Sequence, residues 1–307
     1  MTNRDMALAL LVVTIWGTSF TVIRLGLDGV PPMLLAAMRF ALAAVPAVFF
    51  VRRPAIELRY LIGYGLLVGV GQFGCLFYAM HIGMPAGLAS VVLQSQAFFT
   101  LALAAIFLKE SVSTSQVSGV VVAACGLFLI AQGGSGPGFA ALPLGALLLC
   151  LAGAAFWGAS NIIVRKASAA AAQRGESVNM FSLVVWSSLV PPIPLLLLAL
   201  QLDSVETMRS AVSHIDGTSI LVFCYLSFCA TLFGFGAWSS LLSRYPTASV
   251  APLSLLVPVT GLLTASVVLD EHLSWLQWGG CLAVLCGLAI TTFGLPRKSM
   301  RVRGVVP

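Results

Sequence analysis

The chain has 307 residues, of which 59% are apolar and only 8% are charged, and its mean hydropathy is +1.03. A soluble domain carries about a quarter charged residues, so this composition excludes a water-soluble globule. The net charge of +6 does not indicate nucleic-acid binding, because the basic residues lie between apolar runs, where membrane orientation explains them.

A membrane-spanning helix needs about 20 apolar residues. The apolar runs predict ten such helices, at 6–26, 32–51, 58–80, 84–108, 113–132, 142–164, 178–200, 217–241, 246–270 and 274–295. These runs do not alternate with period two, so the strands of a membrane barrel are not expected. The predicted fold class is an all-α membrane protein with ten transmembrane helices.

Ten spans place both termini on one side of the membrane. Putting that side in the cytoplasm leaves 13 of the 16 basic residues there, including those of the tail 297–307. This matches the usual excess of lysine and arginine in cytoplasmic loops. We predict a multi-pass protein of the inner membrane with both termini cytoplasmic.

The chain also repeats itself. An offset of 161 pairs Pro85 with Pro246, Glu110 with Glu271, Ser113 with Ser274, Gln116 with Gln277, Gly119 with Gly280, Cys125 with Cys286 and Gly126 with Gly287. Eight of the 20 positions from 108 to 127 are identical to their counterparts, and an offset of 141 pairs Trp16-Gly17 with Trp157-Gly158. We interpret the chain as a duplicated five-helix unit, 1–132 and 142–296, followed by a basic tail at 297–307.

Five spans per unit force the second copy to enter the membrane in the opposite direction. The charges agree, since Lys109-Glu110 in the first copy aligns with Asp270-Glu271, where the basic residue is missing. Inverted repeats suit alternating access, because the two copies can exchange their conformations around a central site.

Several motifs together resemble the EamA-type members of the drug/metabolite transporter superfamily. They are the Trp-Gly pair that opens each half, Arg39 in the second span, and Phe107-Leu108-Lys109-Glu110 and Leu269-Asp270-Glu271, each followed by Ser-x-x-Gln-x-x-Gly. The resemblance implies ten helices in two inverted repeats and export of amino acids or related metabolites. The sequence also resembles the YddG-like exporters of aromatic and other neutral amino acids. The chain departs from the family pattern at Ala97, where the second half has the expected proline, Pro258.

Neither a cofactor nor a metal ion is expected. The seven cysteines contain no Cys-x-x-Cys pair, and the three histidines, His81, His214 and His272, fall near helix ends. All ten acidic residues map to helix ends or loops, which disfavours both a buried proton relay and an intramembrane enzyme. The sequence also lacks a phosphate-binding Gly-x-x-x-x-Gly-Lys-Ser/Thr loop, so transport driven by ATP is not predicted.

Arg39 is the exception among the charged residues, since it lies some seven residues inside its span. Burial of an arginine costs roughly 2.5–3.5 kcal/mol unless the side chain snorkels or finds a partner. Arg39 could therefore bind a substrate carboxylate, or it could reach the interface or satisfy carbonyl groups at a helix end.

The other candidate binding residues are uncharged polar or aromatic side chains near the middle of spans. They are Trp16, Ser19, Tyr78, Gln94, Gln96, Trp157, Asn161, Trp238 and Ser254. Amides and hydroxyls can bind both ends of a zwitterion, and aromatic rings offer a face to an ammonium group. Each could instead form an interhelical hydrogen bond or an interfacial anchor.

Gln94 and Gln96 are two positions apart, about 200° around a helix, so they cannot share one face. Gln94 is the preferred candidate because it shares its face with Ser90. The function predicted is a secondary transporter that exports neutral amino acids or similar metabolites. The alternatives are a multidrug or lipid-precursor carrier and a membrane sensor that does not transport.

Overall fold

The computed structural model describes residues 1–133 and 142–293, and its regular structure there is helical throughout, which confirms the all-α prediction. The helices are α1 (Asn3–Gly26), α2 (Pro32–Ala47), α3 (Leu58–His81), α4 (Ala86–Leu108), α5 (Thr114–Gln132), α6 (Leu144–Ala172), α7 (Met180–Ser187), α8 (Pro192–Leu202), α9 (Val205–Ser213), α10 (Gly217–Arg244), α11 (Val257–Val268) and α12 (Trp275–Phe293). A short helix, Thr247–Val250, and a 3-10 segment, Ala251–Leu256, lead into α11.

Seven of these helices are long and apolar enough to cross a membrane, or eight if α7 and α8 count as one bent span, within the part of the chain that the structure describes. Two further apolar helices, α2 and the run Pro252–Val268, are shorter than that limit. Each of the ten predicted ranges falls on one of these segments. By length alone, the structure therefore supports seven or eight spans.

The structure differs from the predicted helices in three places. The predicted helix 178–200 is two helices bent by 42° where Pro191 and Pro192 remove two backbone donors. The stretch 201–216, which lies between two predicted helices, contains α9, whose start is capped by the Ser204 hydroxyl accepting from the Thr207 amide. The sixth helix continues to Ala172 rather than ending at 164. The basic tail 297–307 lies outside the described residues.

α3 and α10 each contain nine residues of π-helix, Leu66–Gly74 and Tyr225–Phe233, near their midpoints. Such wide turns are uncommon and recur at functional sites. Glycines let the wide part of α3 approach its neighbours, since a Cβ on Gly69 would lie 1.9 Å from Cγ of Pro191. α4 contains a 3-10 segment, Leu93–Ser95, and a longer 3-10 segment precedes α11, so this break in α-helical hydrogen bonding occurs in both halves although Ala97 replaces the proline of the second half.

α5 and α12 pack closely along their lengths. A Cβ on Gly126 would lie 2.6 Å from the Gly280 carbonyl oxygen, and one on Gly119 would lie 2.6 Å from that of Gly287. The repeat pairs Gly119 with Gly280 and Gly126 with Gly287. Gly126 therefore contacts the counterpart of Gly119, and Gly119 contacts the counterpart of Gly126. Both helices also begin with the same capping arrangement, built from a serine and the glutamine three residues later.

Contacts between helix ends define two ends of the bundle. At the end where α1 begins, the proximal end, Asp5 forms a 2.7 Å ion pair with Arg244 and accepts a 2.6 Å hydrogen bond from Tyr245. The distal end holds the last turn of α1, the start of α4 and the exposed helix α9. All ten acidic residues lie at helix ends, in first turns or in links, as predicted.

Candidate functional site

Arg39 lies halfway along α2 and is only 4% exposed. Its Nη2 donates to the Thr231 hydroxyl at 3.3 Å. Its Nε and Nη1 are buried without a hydrogen-bond partner among the residues that the structure describes. A buried guanidinium that leaves most of its donors unused is costly, so this group is suited to an anion.

The two π-helical segments hold Arg39 from both sides. The Phe73 ring of α3 lies 3.9 Å from its guanidinium carbon, a distance at which a cation is attracted to the ring face. On α10, the Thr231 hydroxyl donates to the Leu226 carbonyl five residues back, which leaves its lone pair facing Arg39. The Ser227 hydroxyl donates to the Arg39 carbonyl at 3.0 Å. Neither Phe73 nor Thr231 was a sequence candidate, and no sequence signal marks the π-helical turns.

Aromatic side chains from α1 and α10 form a second cluster, the aromatic cluster of Trp16, Phe235 and Trp238. The Trp16 ring lies 5.3 Å from Phe235 and 5.2 Å from Trp238. Its indole N–H donates to the Ala230 carbonyl at 2.9 Å, next to the threonine that binds Arg39. The structure therefore brings together two of the predicted tryptophans.

A third group, the amide cluster, joins Gln96 and Thr100 of α4 to Asn161 of α6. The Asn161 side-chain amide donates to Gln96 Oε1 at 2.9 Å and to the Thr100 hydroxyl at 3.0 Å. Gln94 points elsewhere, and its amide donates to the Ser254 carbonyl at 3.5 Å. The prediction that the two glutamines occupy different faces is confirmed by these partners.

The remaining candidates are more scattered. The Ser19 hydroxyl bonds the carbonyl of Ile15 within α1. Tyr78 lies in the last turn of α3, with its ring 6.0 Å from that of His81 near the distal end. Trp157 packs against the core from α6, and the neighbouring Gly158 lets α4 approach closely, since its Cβ would lie 2.8 Å from Phe99.

The distal end of α4 is bound tightly to α11 and to the link that follows it. The Glu271 carboxylate accepts from the backbone amides of Ala86 at 2.7 Å and Gly87 at 2.9 Å. The first turns of α4 pack on α11, whereas its later part, from Gln96 on, packs on α6. After α4 ends at the proximal end of the bundle, Glu110 pairs with Arg165, with one contact of 3.1 Å. The equivalent glutamates Glu271 and Glu110 therefore have different partners.

A cavity of about 540 Å³ lies at the distal end, away from these clusters, and is lined by the α1–α2 link, His81 and α9. Within the described ranges, no group of three or more His, Cys, Asp or Glu side chains is placed to hold a metal ion. The mid-helix clusters are the stronger candidate for a binding site.

The sequence pattern of the EamA-like transporter family matches residues 4–132 and again residues 144–293. A protein of Escherichia coli (strain K12) named "Probable amino-acid metabolite efflux pump" is 46% identical over 304 residues, which is 98% of this chain and 99% of that protein. A protein of the same name from Salmonella typhimurium is 45% identical over 305 residues, 99% of this chain and 100% of its own length.

A solved crystal structure covers 98% of this chain and all of its own chain with a TM-score of 0.62. Its sequence identity of 18% makes this a likeness of fold. The arrangement of helices described above therefore has an experimental counterpart.

Proposed function

The chain belongs to the EamA-like transporter family, and on that premise we propose that it exports neutral amino acids, including aromatic ones, or similar small metabolites by alternating access. Both relatives described above carry names of amino-acid metabolite efflux pumps. The observation that carries the substrate class is the Arg39 guanidinium, which is buried with two nitrogen atoms that have no hydrogen-bond partner in residues 1–133 and 142–293.

An anion would relieve the cost of that burial. A substrate carboxylate can accept two parallel hydrogen bonds from a guanidinium, which is the strongest pairing available to either group. A multidrug carrier for lipophilic cations would be repelled by the same residue. Phe73 stabilises the guanidinium while the site is empty, since its ring lies 3.9 Å away.

The aromatic and amide clusters supply the rest of the proposed pocket. The rings of Trp16 and Trp238 would contact an apolar or aromatic side chain. Gln96 and Asn161 offer neutral donors and acceptors without adding charge, as a zwitterion requires. Trp16, Gln96 and Asn161 lie near the midpoints of their helices, as Arg39 does, whereas Trp238 lies nearer the proximal end of α10.

The helix pairs support the proposed architecture of ten helices in two inverted repeats, 1–132 and 142–296. α1 packs on α11, and its counterpart α6 packs on α4, the counterpart of α11. Exchanging the two halves leaves the α5–α12 pair unchanged, because each helix is the counterpart of the other. The links after α4 and α11 contain the only non-glycine residues with positive φ in the described part of the chain, Lys109 at 55° and Asp270 at 53°. They are 161 positions apart. Labelling that found residues 109 and 270 on one side of the membrane would refute the inversion.

The unequal partners of Glu271 and Glu110 support the proposal of alternating access. The repeat offset pairs the amides of residues 86 and 87 with those of 247 and 248. In the state described, Glu271 closes the distal end, while Glu110 is held away by Arg165. We assign this as the state closed to the outside, with the proximal end and both termini in the cytoplasm of an inner-membrane protein. In the opposite state, Glu110 would bind the amides at 247 and 248, and Glu271 would be released.

The decisive experiment is counterflow of labelled phenylalanine in proteoliposomes. Unlabelled phenylalanine and phenylalanine amide, in which a neutral carboxamide replaces the carboxylate, serve as competitors. The wild-type protein should prefer the acid. Arg39→Gln should lose about 10- to 100-fold in apparent affinity for the acid, since a hydrogen bond to a charged group contributes about 1.5–3 kcal/mol, and should change little toward the amide.

Arg24→Gln is the matched control, because it also removes one arginine from a helix, but one paired with Asp28 at the distal end. If Arg39→Gln prefers phenylalanine over phenylalanine amide as strongly as the wild-type protein does, Arg39 is not the carboxylate partner. Failure of every amino acid in a panel, with uptake of lipophilic cations or lipid precursors, would favour the rival carriers. Substrate binding without counterflow would indicate a sensor.

A further inference from the structure

An apolar groove of about 270 Å³ opens on the bundle near its proximal end, apart from the mid-helix clusters. It lies between the start of α3 and the link from α7 to α8, and its lining is Arg53, Leu58, Leu61, Ile62, Trp186, Leu189 and Val190. Leu58 and Leu189 are 55% and 43% exposed. The groove therefore offers a slot for an apolar chain beside a basic side chain.

The charges around this groove do not balance. Arg59 is paired with Glu57 at 2.8 Å, and Arg174 is paired with Glu176 at 3.0 Å. Arg52 and Arg53 have neither an ion pair nor a hydrogen bond within residues 1–133 and 142–293, and both are exposed. Two positive charges are therefore available to an external anion at the rim of the groove.

The surroundings of the two arginines favour a position at the level of lipid headgroups. The Trp186 indole donates to the Val51 carbonyl at 2.9 Å, which ties the α2–α3 link to α7. Phe49 and Phe50, just before the arginines, are 79% and 88% exposed, as expected of side chains that contact lipid. An exposed aromatic pair followed by basic residues is typical of the boundary between acyl chains and headgroups.

We propose that this groove binds an anionic phospholipid, with an acyl chain between α3 and α7 and the phosphate on Arg52 and Arg53. Basic pockets between helices at a membrane surface recognise lipids in this way. A zwitterionic lipid binds less well, because its own cation opposes the arginines. A second copy of the chain is disfavoured, since a twofold contact through the groove would bring the uncompensated arginines of both copies together.

The test uses the purified full chain in detergent, titrated with phosphatidylglycerol or phosphatidylcholine carrying brominated acyl chains. Bromine quenches nearby tryptophan, so Trp186 reports occupancy, and the signal lost in Trp186→Phe isolates its share. The anionic lipid should quench this share at lower mole fraction. The preference should be about fivefold for each uncompensated arginine, from the attraction of one basic side chain to an anionic surface.

Arg52→Ala/Arg53→Ala should abolish the preference, whereas Arg52→Lys/Arg53→Lys should retain most of it. Arg209→Ala, which removes an exposed arginine on α9 at the other end, should leave it unchanged. Leu189→Trp should block the groove without changing the arginines. Adding the anionic lipid should therefore raise the melting temperature of this variant less than that of the wild-type protein. Equal quenching by both lipids would overturn the proposal, as would a dimer in light scattering that Leu189→Trp dissociates.

Discussion

Glu271→Gln should shift the protein toward the state open at its distal end. The wild-type carboxylate accepts from the Ala86 amide at 2.7 Å and the Gly87 amide at 2.9 Å. Glutamine keeps one acceptor and loses the charge that favours the start of a helix. A hydrogen bond to a charged group contributes about 1.5–3 kcal/mol. Because Glu271 is partly exposed, we expect a loss of about 1–2 kcal/mol, which is roughly 5- to 30-fold in the equilibrium.

The assay uses Ala265, which is 0% exposed and lies 3.4 Å from the position of a Cβ on Gly87. In a background without the seven native cysteines, Ala265→Cys should react with a membrane-impermeant maleimide only when α4 and α11 separate. Adding Glu271→Gln should raise the labelling rate 5- to 30-fold, and Glu206→Gln, on the exposed helix α9, should not. An unchanged rate with Glu271→Gln would show that these hydrogen bonds do not hold the distal end closed.

Further substitutions test the packing, a helix cap and the empty site. Gly126→Val should lower the melting temperature strongly because its Cβ would lie 2.6 Å from the Gly280 carbonyl oxygen. Gly279→Val should have little effect, because no described atom beyond its chain neighbours and its own helix backbone lies within 4 Å of the added Cβ, and equal melting curves would contradict this packing. Asp216 caps α10, and the hydrogen bond from the Ser219 amide lowers the pKa of its carboxyl group below 3.8. Its stabilisation should be complete above pH 3.8 and fade as the pH falls through the lowered pKa, so melting curves of wild type and Asp216→Ala should converge in acid; a constant difference would refute the cap. Phe73→Leu should destabilise the substrate-free protein by about 2 kcal/mol, the value of a buried cation–π contact, and the substrate-saturated protein by less, and an equal loss in both would refute the pairing of Arg39 with substrate.

The sequence predicted the helices because a membrane leaves few alternatives. A run of some 20 apolar residues must satisfy its backbone internally, and charged or proline-rich breaks mark where it ends. Helix breaks inside such runs were harder to predict. Pro191 and Pro192 divide one predicted helix into α7 and α8, although Pro258 sits at the start of α11 without a comparable bend. The outcome depends on which neighbours satisfy the freed carbonyl groups, and spacing does not supply that information.

The residues of the candidate site also differ in whether they could be predicted from the sequence. Arg39 was identifiable because a charge inside an apolar run is rare, and its burial follows from its position. Phe73 and Thr231 were not identifiable, because the π-helical turns that aim them at Arg39 leave no pattern in the sequence. The spacing rule separated Gln94 from Gln96, yet it could not predict that Gln96 would meet Asn161 on α6.

The repeated and unrepeated residues of this chain have different roles. Caps, close-packed glycines and the left-handed links recur at an offset of 161, so they stabilise both halves equally and do not favour one conformation over the other. A preference between states must therefore come from contacts that differ between the halves, even where the residues are the same. Glu271 bonds backbone amides, but its counterpart Glu110 has Arg165 as a partner, so Arg165→Gln should free Glu110 for the amides at 247 and 248. We expect faster maleimide labelling of Ala265→Cys in that variant, and slower or unchanged labelling would show that Arg165 does not bias the two states.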